Sequence, residues 1–246
     1  NRPRTDPETG VALVTDVRIK RTIRDYLFYV KGKEILVRDT FDSEGYLRDG
    51  KGRASDFETL AGISKEDNIQ TATDKLQNVI LKSCIDARLF GLTLPVEHGE
   101  KKSSIKITGP VQFSGFSRSL HKVNPLFVQG TAAFAGGPKS TQKSFREDYI
   151  LPYALIATYG IINEVAAKSS NLTEEDVSLL LEGLWQGTSS MISRSKVGHN
   201  PLLLLRIRYK GQRQIGNLAG RLELIKKVED TKIRDSSEYT VDISKL

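Results

Sequence analysis

The chain has 246 residues, of which 38% are hydrophobic and 27% charged, and its formal net charge is +7 at pH 7. This composition is typical of a soluble globular protein with one large domain or two small ones. The single cysteine, Cys84, excludes a disulfide framework and any multi-cysteine metal site, and it favours a reducing, cytoplasmic location. No apolar run approaches the roughly 18 residues that a membrane span needs, so we expect no membrane contact.

Basic and acidic residues are segregated along the chain. Residues 101–146 contain eight Lys or Arg and no acid, and residues 183–222 contain seven Lys or Arg, again without an acid. Ordinary protein surfaces mix positive and negative charges. The alternative explanation is a solvated face that lacks acids by chance. A basic surface attracts a polyanion by releasing its condensed counterions, without reading sequence. The distribution therefore predicts binding to a polyanion.

Residues 1–10 are predicted to form a loop, because prolines, a glycine and short polar residues disfavour regular structure. Arg2 and Arg4 lie in this loop on either side of a proline. A helix is predicted to begin at Thr15 and Asp16, where a hydroxyl cap precedes an acid in the first turn.

The first predicted helix has two different faces. Its apolar stripe, at helical spacing, consists of Ile19, Ile23, Tyr26, Leu27 and Val30. The opposite side carries basic residues three apart, namely Arg18, Arg21 and Arg24, and the edge of the stripe carries Lys20. Such a ladder is either a solvated helix face or a surface that faces phosphates, and the nearby basic loop favours the second interpretation.

The middle of the chain is predicted to alternate between strands and helices. The elements are a strand over 33–37, a helix over 71–90, and strands over 105–108 and 111–114 on either side of a Gly-Pro turn. Residues 38–65 are polar, and we expect them to form a mobile surface excursion or a small subdomain. Cys84 lies on the apolar face of the second helix, which indicates a buried structural thiol rather than a nucleophile.

A protruding hairpin is predicted after the hydroxyl-rich and basic segment 115–122. Proline and glycine breakers and apolar residues lie between its basic flanks. Phe127 or Phe134 either wedges beside a nucleobase, because stacking tolerates any sequence, or packs the hairpin down. Lys139, Lys143 and Arg146 follow.

The C-terminal part is predicted to contain more strands than helices. The elements are a long buried strand over 149–162 that Pro152 interrupts or places at an edge, a short helix over 163–168, a helix with a capping box at Thr173, a strand over 202–209 and a last strand over 220–228. Strands and helices without a regular βαβ repeat indicate an α+β fold. A split βαβ sheet with large insertions fits, and RNA-recognition modules use the open face of such a sheet.

Residues that carry catalysis are sparse in this sequence. The three histidines are isolated, and there is no HExxH, P-loop or GxGxxG motif, so we predict no metal and no cofactor. Asp6 and Asp16 near the first basic region could hold Mg²⁺ for cleavage, but a turn residue and a helix-start acid explain them more simply. We therefore predict that the protein is not an enzyme.

Three long motifs carry a resemblance to a known family. They are NRPRTDPETG followed by LVTDVRIKRTIRDYL, then GPVQFSGFSRSL, then DYILPYALIATYGIINEVAAKSSNLTEEDV. Together they resemble the Cas7 backbone subunits of type I CRISPR Cascade complexes, in the RAMP superfamily. The segment KGKEILVRD is more similar to the I-B branch than to I-C. The family begins with a strand and an Asn-Pro-Asn-Gly-Asp-like loop, neither of which precedes Asn1, so we expect the natural start to lie further upstream.

The resemblance implies an RRM-like (ferredoxin-like) palm over 1–37, 66–121 and 147–246, a finger-like insertion over 38–65 and a thumb hairpin over 122–146. Copies would stack head to tail along CRISPR RNA and hold its phosphates, while its bases pair with target DNA. The partners implied are CRISPR RNA, neighbouring copies, other Cascade subunits and, through the guide, target DNA.

The residues predicted to bind RNA combine the basic pattern with positions that match family motifs. By resemblance, Lys20 and Arg21 match the guide-contacting helix, and Gln112 opens the strand that lines the RNA. The full set is Arg2, Arg4, Arg18, Lys20, Arg21, Arg24, Gln112, Ser114, Arg118, Ser119, Lys122, Phe127, Phe134, Lys139, Lys143 and Arg146.

Two alternative functions stay open at the level of sequence. One is a metal-dependent RNase of the same superfamily, and the other is a basic protein that binds single-stranded RNA without polymerising. For the filament, we hypothesise that acids of the finger-like region, including Asp39, Asp42 and Glu44, meet a basic surface on the next copy.

Overall fold

The computed structural model describes residues 2–135, 143–191, 196–211 and 215–246, and their side chains except those of 132–135 and 143–146. The strands are β1 (Val11–Thr15), β2 (Gly91–His98), β3 (Lys101–Thr108), β4 (Val111–Phe113), β5 (Phe116–Lys122), β6 (Leu126–Ala135), β7 (Lys143–Ile150), β8 (Ile156–Ala157), β9 (Gly160–Ile162), β10 (Glu223–Lys226) and β11 (Tyr239–Asp242). The α-helices are α1 (Asp16–Tyr29), α2 (Gly50–Ala61), α3 (Ile69–Ser83), α4 (Ile85–Phe90), α5 (Glu164–Ser170) and α6 (Glu174–Ser189).

The chain forms two compact units, each assembled from separate stretches. The first comprises Asn1–Asp16, Phe113–Tyr159 and Arg206–Leu246, and the second comprises Val17–Gln112 and Gly160–Leu205. Each unit brings together segments that are far apart in sequence, so neither corresponds to a continuous piece of chain.

The first unit is built around a three-stranded antiparallel sheet in the order β1-β5-β8. Ser119 ties two strands together, because its Oγ accepts from the amide of Ala12 at 2.9 Å and donates to the carbonyl of His121 at 2.6 Å. The unit also holds the antiparallel pairs β6–β7 and β10–β11. The predicted protruding hairpin is therefore confirmed as a strand pair, β6–β7.

The second unit places α1 against α6. Ile23 and Leu27 of α1 are fully buried, as the apolar stripe predicted, whereas Val30 at its end is exposed. Glycines on α6 allow a close approach: a Cβ added to Gly187 would lie 3.0 Å from the Cβ of Tyr26. The predicted capping box at the start of α6 and the short helix α5 are both confirmed.

The prediction that residues 38–65 form a surface excursion or a small subdomain is wrong for their second half, which packs into the core of the second unit. This half forms α2, whose Phe57 is 4% exposed and packs in one apolar core with Leu76 of α3 and Leu94 of β2. Helix α2 is capped by Asp49, whose side chain accepts from the amide of Gly52. The low apolar content of this segment suggested an exposed loop, but one buried phenylalanine and one buried alanine are enough to anchor the helix in the core.

The predicted strand over 33–37 does not form. Side chains bind its backbone groups instead of a neighbouring strand. The carboxylate of Asp86 accepts from the amides of Leu36 at 2.7 Å and Val37 at 3.1 Å, and the guanidinium of Arg53 donates to the carbonyl of Ile35 at 2.9 Å. Apolar residues such as Ile35 and Leu36 can thus be buried without joining a sheet.

The single helix predicted over 71–90 is two helices, α3 and α4. The break lies at Cys84, whose backbone is extended at φ −101° and ψ 112°. Cys84 is fully buried, which confirms the structural thiol, and burial raises its pKa to about 12. A thiol with so high a pKa is protonated and unreactive.

The two strands around the Gly-Pro turn are present as β3 and β4, but they do not pair with each other. Strand β3 pairs along its length with β2, a strand that the sequence analysis missed, and β4 pairs with β9. The alternation of β2, in which Leu92, Leu94 and Val96 are buried, is visible in the sequence once the strand is known.

Three C-terminal predictions are wrong or incomplete. Residues 149–162 are not one buried strand but the end of β7, a connection through Pro152, and the short strands β8 and β9. Residues 202–209 form no strand, and Leu202 to Leu205 are 39–52% exposed. Strand β10 is confirmed within 220–228, but β11 follows it and pairs with it.

The mixture of helices and several small sheets confirms a fold that combines both element types. The finer prediction of an RRM-like palm goes beyond this pairing pattern and stays a prediction.

Candidate nucleic-acid interface

Buried and exposed side chains alternate along strand β5 at most of its positions. Ser117, Ser119 and His121 are buried on one face, whereas Arg118 and Lys122 are exposed on the other. Successive strand residues point to opposite faces, so the two basic groups share the outward face. We call this outward face of the β1-β5-β8 sheet the open face.

The N-terminal loop adds a second arginine to the open face. Leu13 of β1 lies opposite Arg118, and on the other side of β1 the amide of Leu13 donates to the carbonyl of Arg4 at 2.9 Å. The bridge between Thr5 and Ala12 fixes this register. Opposite residues in antiparallel strands point to the same face, so Arg4, Leu13 and Arg118 form one row. At about 4.8 Å per strand, the two arginine backbones lie about 10 Å apart.

An acid also lies beside this row. Hydrogen bonds from Thr9 and from the amide of Glu8 lower the pKa of Asp6, and the positive charge of Arg118 contributes further. The carboxylate of Asp6 therefore holds the turn of the N-terminal loop, as a turn residue would.

Arg2 connects the loop to the β6–β7 hairpin. Its guanidinium carbon lies 5.0 Å from the ring centroid of Tyr149, and that ring lies 5.0 Å from the ring of Phe127 on the paired strand. Phe127 nevertheless remains 48% exposed and Tyr149 39% exposed. The two alternatives for Phe127 are therefore compatible, because it packs across the hairpin and still presents its ring to solvent.

The opposite face of the sheet is held by His121. Its Nδ1–H donates to the carbonyls of Lys122 at 2.8 Å and Asp230 at 3.1 Å, while Nε2 accepts from the amide of Leu155 at 3.2 Å. The ring stacks on Tyr153, whose hydroxyl contacts that of Tyr239 at 2.6 Å. This histidine is a satisfied core residue that fixes β5.

The basic residues of α1 lie in the second unit and differ in environment. Lys20 Nζ lies 5.8 Å from the ring of Phe90. Arg21 donates to Asp25 at 2.7 Å and lies 3.7 Å from Asp39, and the hydrogen bond to Asp25 raises its pKa. Both side chains are partly exposed, so the two residues that match the guide-contacting helix border solvent.

Arg24 is not on a solvated face, which corrects the prediction that the three arginines of α1 form one outward ladder. Its Nε donates at 2.9 Å to Asp86, a carboxylate that is 1% exposed, and its side chain is only 14% exposed. Arg24 stabilises the buried 33–37 segment through that carboxylate. The helical spacing was right, but an acid 62 positions away could not be seen in the sequence.

Arg18 and Lys196 are cations that act electrostatically on each other and on the ring of His199. Restricted access of water and the charge of Arg18 lower the pKa of Lys196, and restricted water, Lys196 and Arg18 together lower that of His199. Arg18 also donates to Thr22 Oγ1 at 3.1 Å. The repulsion in such a pair of cations is relieved by an anion, so the pair is a second candidate phosphate contact.

The polar residues of the 112–119 segment mainly serve the fold. Gln112 Nε2 donates to the carbonyl of Gly109 at 2.8 Å, and Ser114 Oγ donates to the carbonyl of Phe116 at 3.4 Å. Ser119 is 5% exposed and bonded on both sides. Its predicted RNA contact through the side chain is therefore not available in this structure.

Four residues that are predicted to bind RNA have side chains outside the described part of the structure. Lys139 falls outside them. The backbones of Phe134, Lys143 and Arg146 belong to β6 and β7, and their side chains are not described. Their predicted RNA contacts stay predictions.

Three residues that border these sites are not among those predicted from the sequence. Phe116 is 53% exposed at the start of β5, Tyr149 stacks with Arg2, and Lys196 joins Arg18. An alternating pattern in FSRSLHK was the available signal for Phe116. Nothing in the sequence joined the other two to their partners.

Within the described ranges, no group of three His, Cys, Asp or Glu side chains is arranged to hold a metal ion. The same part of the chain contains no helix that is long and apolar enough to cross a membrane.

Comparison with known proteins places these features in a family. A CRISPR-associated protein Cas7 from Haloferax volcanii is 32% identical over 263 residues, which cover 100% of this chain and 75% of that protein. A solved structure described as a CRISPR RNA-guided surveillance complex, pre-nicking, is similar with a TM-score of 0.42 and 12% identity over 79% of this chain and 70% of that chain, a likeness too small to carry an argument. The family model described as CRISPR-associated protein Cas7 matches residues 1–244. The chain belongs to the Cas7 family.

Proposed function

We propose that this protein is a non-catalytic backbone subunit of a type I CRISPR Cascade effector, in which it binds the phosphates of CRISPR RNA. The observation that carries this proposal is the row on the open face, where Arg4 and Arg118 flank an apolar residue and Lys122 follows on the same strand. Phosphate contacts position a strand without reading its sequence, so the bases stay available to pair with target DNA. Family membership and the acid-free stretches support it.

In this proposal the palm is RRM-like and comprises residues 1–37, 66–121 and 147–246. The finger-like region is 38–65, with α2 as its anchor in the core, and the thumb is 122–146 around the β6–β7 hairpin. Lys20 and Arg21 of α1 also contact the guide. The I-B branch is the subtype that the segment after α1 favours.

We further propose that copies polymerise head to tail along the RNA through the finger-like region. Phe41, Tyr46 and Leu47 are 63%, 67% and 63% exposed in a turn that Asp42 rigidifies by accepting from the amide of Tyr46 at 2.8 Å. A rigid apolar turn beside acids suits contact with a basic surface of another copy.

Charge reversal tests this assembly. Changing Asp39 and Glu44 to Lys should shorten or abolish RNA-dependent oligomers in light scattering, while thermal unfolding of the monomer stays unchanged. Asp42 is left intact because it holds the turn. The matched control reverses Glu100, an exposed acid in the turn between β2 and β3 and outside the finger-like region. Oligomers of unchanged size would show that the finger-like region does not mediate assembly.

The binding test uses labelled single-stranded RNA of several lengths. We expect affinity that is independent of sequence and falls steeply with salt, and complexes whose mass increases with RNA length. Complexes of one fixed mass would favour a non-polymerising RNA-binding protein. Cleavage of the RNA when Mg²⁺ is added would favour the RNase alternative, which no specific arrangement of described residues supports.

A further inference from the structure

Phe116 is a large apolar side chain on a surface that otherwise attracts phosphates. It is 53% exposed and lies at the start of β5, directly opposite Thr15 of β1. Within the described part of the chain, no ring or cation contact involves its side chain. Burial in the fold therefore does not explain a phenylalanine at this position.

The neighbours of Phe116 make this position different from an isolated apolar residue on a surface. Phe116 and Arg118 are two residues apart on one strand, so both belong to the open face, about 6.8 Å apart along β5. Arg4 lies in the next row, on the far side of β1. An exposed aromatic ring thus lies two residues from an exposed arginine on the same face, and a single exposed ring without such a neighbour would need no explanation.

The spacing matches the chemistry of a single-stranded nucleic acid. A phosphate held by Arg118 leaves the adjoining nucleotide within reach of the ring two residues away. Aromatic side chains on a sheet face stack with unpaired bases, and each base has an apolar face that such a ring can cover. A protein surface as a partner is less suited to a patch with several cations and one ring, because charged residues are depleted at the centre of protein interfaces.

We propose that Phe116 stacks on one unpaired base of the bound RNA strand, while Arg118 holds a phosphate of the same strand. The inference rests on the proposed function and extends it, because one base per binding site is then held by the protein instead of being left free. Stacking is independent of base identity, so the contact adds affinity without adding sequence preference.

The test compares variants of Phe116 in binding to a fluorescein-labelled oligouridylate. Phe116→Ala should weaken binding by about 5- to 150-fold, the effect of losing one base–aromatic stack. Phe116→Tyr should retain affinity, and Phe116→Leu, which keeps apolar bulk without a ring, should weaken it. The slope of affinity against salt should be unchanged in all three, whereas Arg118→Ala lowers the slope by about one.

A spectroscopic measurement reports the stack directly. Trp185 is the only tryptophan, so Phe116→Trp combined with Trp185→Phe places a single fluorophore on the open face. Oligouridylate should quench its fluorescence. The same RNA should leave Leu60→Trp, also combined with Trp185→Phe, unquenched, because its exposed tryptophan lies on α2 and not on the open face.

The outcomes separate the inference from the function on which it rests. If the wild-type protein does not bind the oligouridylate, both fall. If it binds and Phe116→Ala binds equally well, only the stack is wrong. If Phe116→Ala changes the size of the assembly without changing RNA affinity, the ring belongs to an interface between copies, and the inference is again overturned. Thermal unfolding of each variant verifies that the fold is intact.

Discussion

Arginines do two different things in the two units. On the open face of the first unit, Arg4 and Arg118 are exposed and border solvent. In the second unit, Arg24, Arg53 and Arg88 reach into the protein and bind Asp86, Asp56 and Asp176. The residue type is the same in both regions, so its role is decided by whether a carboxylate lies within reach. An arginine that is buried against a carboxylate supports the fold, whereas an exposed arginine can still reach a phosphate.

The largest effect is expected when the interior ion pair between Arg88 and Asp176 is broken. Arg88 binds Asp176 through two hydrogen bonds of 2.7 Å and 2.8 Å, with the carboxylate 5% exposed. Asp176→Ala should reduce the free energy of unfolding by about 3–5 kcal/mol, because it leaves the partly buried guanidinium of Arg88 without its carboxylate and removes one half of the capping box. Chemical denaturation measures the change. The control Glu175→Ala, in the same turn but 78% exposed, should change it by less than about 0.5 kcal/mol.

The same pair predicts how stability depends on pH. Burial opposes ionisation of Asp176, but hydrogen bonds from Arg88 and Thr173 outweigh it and lower the pKa below the usual 3.8. The folded state therefore binds this proton less readily than the unfolded state. The stabilisation by ionised Asp176 is complete above pH 3.8, and it is lost as the pH falls through the pKa that Asp176 has in the folded state. The difference between wild type and Asp176→Ala should shrink over that acidic range, and a constant difference would contradict the assignment.

A medium effect distinguishes the exposed arginines from the interior ones. Arg118→Ala and Arg4→Ala should each lower the slope of RNA affinity against salt by about one and leave stability within about 0.5 kcal/mol. Arg24→Ala should leave the salt slope unchanged and lower the stability, because it leaves the buried Asp86 without its cation. Equal losses of salt dependence in all three variants would remove the distinction. Titrations at several salt concentrations and denaturation curves of the same samples measure both quantities.

The smallest effect concerns His199. Its pKa is lowered by restricted water and by Lys196 and Arg18, so the ring is neutral near neutral pH. A bound phosphate would raise the pKa of His199, so the ring would take up a proton when RNA binds. RNA affinity should therefore increase as the pH falls from about 8 to about 6. His199→Gln should remove this part of the pH dependence, whereas His98→Gln should not. A pH profile that is identical in His199→Gln and wild type would show that no phosphate binds beside Arg18.

Local patterns predicted the elements whose signals lie within a few residues. Helix α1 follows from Thr15, Asp16 and an apolar stripe, the capping box of α6 from Thr173, and the β6–β7 hairpin from breakers between apolar runs. Segments whose backbone partners are distant were misjudged. Residues 33–37 have strand composition, yet Asp86 and Arg53 take the place of a neighbouring strand. Residues 202–209 have the same composition but form no strand.

For the candidate site, the sequence determined the chemistry: stretches that exclude acids, hydroxyl groups beside arginines, and motifs shared by the Cas7 family. Only the tertiary structure decided which side chains are available. Register placed Arg4 beside Arg118 and turned Ser119 inward, and folding brought Asp86 to Arg24. Charge composition is a property of the chain itself, whereas ion pairing and exposure depend on contacts between residues that are separated by tens of positions.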